Sequence, residues 1–115
     1  MGRKKKSRGQ VTPVEPPTLS GIALLLSQMP AAKLDLHGLT AHQAELRVQN
    51  FLMTQMRVSC GQVVHIITGK GTRSEGAAVL PGVVRRLLSD ELAMYVDELA
   101  GLPGGGGFVV RVAEP

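Results

Sequence analysis

From Lys33 onward the apolar positions change period repeatedly, and each change marks an element. Leu34 and Leu36 alternate with Asp35 and His37, the period-2 pattern of a strand with one core face and one polar face. TAHQAELRVQNFLMTQMR, which follows, has helical spacing, with Ala41, Ala44, Val48, Phe51 and Leu52 on one stripe. Gly38 permits the turn between them, and Thr40 with Gln43 reads T-x-x-Q, a capping box that fixes the helix start. Gly61 breaks that helix, and VVHII at 63–67 is a β-branched run suited to a central, largely buried strand. The polar loop TGKGTRSEG leads to a second helix, whose stripe is Val79, Val83, Val84, Leu87 and Leu88. Pro81 is expected in the first turn of that helix. From Tyr95 to Val112 two short strands flank the tetraglycine at 104–107, with FVVRV as the last.

The order β-α-β-α-β-β predicts an α/β (α+β sandwich) domain with a four-stranded mixed sheet and two helices. Helical crossovers make the first two strands parallel neighbours with right-handed connections. No internal repeat is present. Residues 1–19 read as a basic, Pro-rich disordered arm, because Pro13, Pro16 and Pro17 oppose both helix and ladder pairing. Residues 20–32 read as a short helix and linker: Ser20 is a candidate cap for GIALLLSQM, which stops at Pro30 and is expected to dock on the domain at 33–115.

Composition narrows the function. A chain of 115 residues with 43% apolar content supports one globular domain with a real core. Phe51, Tyr95 and Phe108 are its only aromatic residues, which disfavours a reader that stacks many bases on aromatic rings. Cys60 is the single cysteine, so an intrachain disulfide and a cysteine-rich zinc site are excluded. The formal charge of +4 is concentrated in Arg3, Lys4, Lys5, Lys6 and Arg8. The eight remaining basic residues face nine acids, so positions 9–115 carry a net −1. A tail of that kind raises affinity for any polyanion without choosing a sequence. The apolar run Ile22–Leu26 lies too far from the basic start for a signal peptide and is much shorter than the ~20 residues of a membrane helix. A cytoplasmic protein with no membrane partner is expected.

Two places can carry chemistry. Asp35 and His37 stand at the C-terminal end of the first strand, the usual position of sites in open α/β sheets. An imidazole beside a carboxylate can act as general base or acid, and the carboxylate can orient it or hold a divalent metal. Thr68-Gly69-Lys70-Gly71 ends the second strand and emerges at the same edge. Its glycines let backbone amides approach a phosphate, and Lys70 and Arg73 add charge. It is not a Walker loop, since neither the following Ser or Thr nor the upstream glycine is present. His65 reads as a core or half-buried histidine, His42 as exposed, and Cys60 as a small apolar filler.

Taken together, L-D-L-H-G-L-T, I-I-T-G-K-G-x-x-S, V-x-R-x-L in the second helix, and a glycine-rich stretch before V-x-R-V resemble the Smr (small MutS-related) domain over residues 33–113. Its hallmark motifs L-D-x-H-G and [HT]-G-x-G correspond to Leu34–Gly38 and Thr68–Gly71. The resemblance implies a fold like the C-terminal domain of bacterial translation initiation factor three. It also implies an endonuclease that binds DNA or RNA, in recombination and repair or in messenger RNA cleavage at stalled ribosomes. Asp35 and His37 match the catalytic pair, and Gly69, Lys70 and Gly71 the substrate-contacting loop. Where members often carry histidines, this chain has Thr68 and Arg73. The expected cofactor is at most a divalent cation such as Mg²⁺, with Asp35 as its candidate ligand. The alternative is a nucleic-acid or ribosome binding module without chemistry.

Overall fold

The structure, a computed structural model, describes residues 21–69 and 75–115. Its elements are α1 (Gly21–Ser27), β1 (Ala32–Asp35), α2 (Ala41–Val58), β2 (Val63–Ile67), α3 (Glu75–Ser89), a 3-10 turn (Ala93–Tyr95), β3 (Val96–Gly101) and β4 (Gly107–Val112). The basic arm and the Ser20 cap lie outside the described residues.

The strands form one mixed sheet in the order β1-β2-β4-β3. β1 runs parallel to β2, and β4 is antiparallel to both of its neighbours. Alternation then divides the side chains. Leu36, Val64, Ile66, Phe108, Val110 and Val112 join α2 and α3 in the main core. Val63 and Val109 face the other way and are covered by Leu25 of α1, so the short helix docks on the sheet as its apolar residues predict.

The helix starts and stripes have local causes. Thr40 Oγ1 accepts from the Gln43 amide at 3.2 Å, and Gln43 Oε1 accepts from the Thr40 amide at 3.0 Å, completing the capping box. Ala44, Val48 and Leu52 of α2 are fully buried, with Ala41 and Phe51 packed at the margin. In α3 the structure departs from the pattern twice. Val79 is 51% exposed and Leu80 takes the buried place, alongside Val83, Val84, Leu87 and Leu88. Both residues stand four positions before a buried valine, so periodicity alone leaves the choice to the packing against α2. Pro81 sits a turn deeper than expected because α3 begins at Glu75. An interior proline costs ~3 kcal/mol. Burying Leu80, Val84 and Leu88 at ~1.5–3 kcal/mol each outweighs that loss.

The tetraglycine serves two ends. Gly104 and Gly105 adopt φ of +90° and +81° in the β3–β4 turn. At Gly107 a Cβ would run into the Ile66 carbonyl oxygen and lie 3.1 Å from Ile67 Cα, so β4 can pack this tightly on β2 only with glycine there.

Arg111 of β4 closes the far end of the sheet. It donates to Glu98 Oε1 at 2.8 Å, to the Gly61 carbonyl at 3.0 Å and to Gln28 Oε1 at 3.0 Å, joining β3, the α2–β2 turn and the end of α1. A planar guanidinium supplies all three bonds at once. Arg111→Ala is expected to cost on the order of 2 kcal/mol in denaturant unfolding, and Arg111→Lys to recover less than half of that.

Candidate functional site

Backbone pairing builds the site edge. Asp35 is opposite Ile67 in the parallel ladder, and the Leu36 amide still donates to the Ile67 carbonyl at 2.7 Å, so β1 is held to β2 just past its last residue. Leu36 is buried, which forces Asp35 and His37 to the opposite, exposed face. Gly38 at φ +83° then turns the chain, and the Leu39 amide returns to the Leu36 carbonyl at 3.1 Å. That turn delivers the chain to the Thr40 cap.

The two polar side chains meet. His37 Nδ1 lies 2.7 Å from Asp35 Oδ1, and the His37 backbone amide donates to the same oxygen at 3.0 Å. An ionised carboxylate only accepts, so Nδ1 carries the proton and the neutral ring has its lone pair on Nε2. The side chains are 74% and 57% exposed, which leaves Nε2 accessible from solvent. The His37 ring, and after it the His37 amide, hold the Asp35 carboxyl below the usual carboxylate range.

Thr68 and Gly69 arrive beside them. A Cβ on Gly69 would lie 3.8 Å from His37 Cβ, and Gly69 adopts φ +83°. Thr68 is buried, and its hydroxyl donates to the Gly69 carbonyl at 3.0 Å. The amides of Thr68 and Gly69 both donate to the Gly106 carbonyl, at 3.0 and 3.1 Å. Gly69 therefore shapes the turn next to His37, while its own amide is already engaged. Lys70, Gly71 and Arg73, like Arg3, Lys4, Lys5, Lys6 and Arg8, lie outside the described residues.

Other residues sort themselves by position. His65 is half-buried on the same sheet face as Asp35, opposite Lys33 in the ladder. Burial, and then the Lys33 charge, lower its pKa from the usual histidine value. That shared face follows from the alternation of VVHII once the register is known. Arg85, the arginine of V-x-R-x-L, lies 5.5 Å over the Phe108 ring and lines a cavity of about 200 Å³ with Thr68, Gly105 and Gly107, on the helix side of the same edge. His42 is exposed. Cys60 is exposed too, contrary to its reading as a filler, because it falls in the surface turn after α2. It borders a cavity of about 630 Å³ between Met53, Met56, Tyr95 and Pro115, which shares no residue with the Asp35–His37 edge. Among the described residues no three His, Cys, Asp or Glu side chains gather as a metal site, and no helix is long and apolar enough to cross a membrane.

The fold is a two-faced α/β sheet that carries a solvent-exposed carboxylate–imidazole pair at the C-terminal edge of its parallel strands. The family model for the Smr domain matches residues 34–111, and the chain belongs to that family. The family is associated with nucleic-acid binding and nuclease activity. The chain is also 40% identical over 62 residues to a protein of Treponema pallidum (strain Nichols) described as uncharacterized. That stretch covers 54% of this chain and 30% of the relative's length.

In a carboxyl-observed NMR titration Asp35 should titrate below ordinary aspartates. His37→Ala should raise its midpoint, though not all the way, since the residue 37 amide still donates. The sign for stability follows: Asp35's contribution is present above the ordinary aspartate pKa and is lost as pH falls through its lowered folded value. Solvent exposure keeps that contribution small.

Proposed function

We propose that the chain is an endonuclease that cleaves phosphodiester bonds of RNA or DNA at the Asp35–His37 edge. The observation that carries this reading is the 2.7 Å contact that fixes Nδ1 of an exposed imidazole and leaves Nε2 as a base. With RNA, Nε2 takes the proton of a 2′-hydroxyl while that oxygen attacks phosphorus, the P–O5′ bond breaks, and the leaving oxygen is protonated from solvent. With DNA, Nε2 takes a proton from a water whose oxygen attacks phosphorus, one P–O ester bond breaks, and the leaving alkoxide oxygen is protonated from solvent. Asp35 holds the ring in its tautomer and stabilises the imidazolium that forms. Lys70 and Arg73 are assigned to the phosphate as charge develops, and the basic arm to general attraction of the polyanion. Asp35 with His37 is too small a donor set for an all-protein cation site. A Mg²⁺ that keeps most of its waters suits the carboxylate, and it would supply charge neutralisation at the phosphate.

A second reading, a nucleic-acid or ribosome binding module without chemistry, is favoured by the openness of the pair, both of whose side chains are more than half exposed. Labelled single-stranded RNA, structured RNA and supercoiled plasmid, offered with and without a chelator, separate the two. His37→Ala is expected to reduce cleavage by ~10²–10⁴-fold. Asp35→Ala is expected to reduce it as well, with folding unchanged by circular dichroism. Cleavage that survives both substitutions sinks the proposed site, and salt-sensitive binding without cleavage favours the module.

A further inference from the structure

The open face of β1 and β2 continues away from the Asp35–His37 edge. Lys33 and Asp35 point to the same side of β1, and the parallel register sets Lys33 beside His65 and Asp35 beside Ile67. Lys33 is exposed, and His65 and Ile67 are half-buried. On the far side of His65 the face is closed, because its β4 partner Val109 is fully buried under Leu25 of α1. Among the described residues the result is a strip one to two strands wide, walled by α1 and open along β1.

At ~3.3 Å per residue, the strip from His37 back to Lys33 is about 13 Å long. Successive phosphates on one nucleic-acid strand rise ~3.4 Å along the axis of a stacked helix, and their separation in space is about twice that. The strip is thus long enough for more than the one phosphate at the reacting bond, and it is narrower than a duplex.

We infer that Lys33 and His65 form a second subsite, which holds the nucleotide next to the scissile one in a single-stranded substrate: Lys33 on its phosphate, His65 through its ring. The inference rests on the proposed cleavage site and names the substrate class for it. Because burial and the Lys33 charge disfavour its protonation, His65 enters as a neutral ring that can donate one hydrogen bond and lie against a base or sugar. Lys33 supplies the fixed positive charge. Single-stranded RNA and single-stranded DNA share this chemistry, and the 2′-hydroxyl tells them apart.

The test measures binding by the full chain in a His37→Ala background, where cleavage does not interfere, using short labelled single-stranded RNA, single-stranded DNA and a hairpin duplex over a range of salt. Lys33→Gln is expected to make the single-strand salt dependence shallower by ~0.7 in log–log slope, the loss of one phosphate contact. Lys33→Arg is expected to keep the slope. His65→Ala is expected to weaken single-strand binding about fivefold or more, with a smaller effect on the slope. A steeper loss for RNA than for DNA would place the His65 contact on the sugar, and equal losses would place it on the base. Tighter binding of the duplex overturns the inference, as does an equal slope change from Arg57→Gln on exposed α2. If wild-type protein cleaves through Asp35 and His37 while Lys33 and His65 are silent, the second subsite alone falls. If these two residues govern binding and nothing is cleaved, the cleavage reading falls and the strip stands.

Discussion

A slip of one residue between β1 and β2 would turn Leu34 and Leu36 outward and carry Asp35 and His37 into the core. Each face of β1 therefore constrains the other. The parallel ladder that ends in the Leu36 to Ile67 bond prevents the slip, and burial of Leu36 among Val48, Leu52 and Ile66 supplies the energy that makes one register win. Because the two strands run the same way, the same ladder brings the turns after Leu36 and Ile67 to one edge. Gly69 comes to stand against His37 for that reason alone. The contact between Asp35 and His37 is local, as is the Gly38 turn after it, but the approach of Gly69 depends on long-range pairing.

The parts of the fold that the sequence makes legible are those with short-range causes. Thr40 and Gln43 mark the start of α2 because both partners of the capping box lie within one turn. Leu34, Asp35, Leu36 and His37 reveal their faces because alternation needs only the strand itself. The choice between Val79 and Leu80 is different: either fits the helical period, and only packing against α2 and the sheet selects Leu80. Pro81 misleads for a related reason, since a rule about first turns cannot anticipate that buried neighbours carry the helix past it.

The geometry of the candidate site was legible to the same depth. Asp35 and His37 could be read from their spacing, and the structure joins them by two hydrogen bonds to one oxygen. The place of His65 was hidden, because its nearness to Lys33 depends on a register between distant segments. Equally hidden was the fate of the Gly69 amide. It donates to Gly106, a residue of the β3–β4 loop, which can approach only because Gly107 lets β4 press against β2.

That last pairing changes how the charge of a reacting phosphate has to be held. In many phosphate-binding loops the backbone amides of a glycine turn point at the anion, and their dipoles are fixed before substrate arrives. Here the Thr68 and Gly69 amides are turned inward to stabilise the sheet edge, so the loop's first donors belong to the fold. Under the proposed reaction these two amides are not free for the phosphate, so more of the neutralising charge is assigned to cationic side chains: Lys33 on β1, and Lys70 and Arg73 in the sequence that follows Gly69. Long cationic side chains reach an anion flexibly and attract it through water, which favours capture of a polyanion over exact placement of one phosphate. Asp35 and His37 are joined by two hydrogen bonds to one carboxylate oxygen, at the end of a strand anchored by the Leu36 to Ile67 bond. The proposed reaction thus divides its parts: the strand end sets the geometry of the pair, while the charge assigned to the phosphate sits on long side chains, a division suited to a substrate that is long, uniform in charge and variable in sequence.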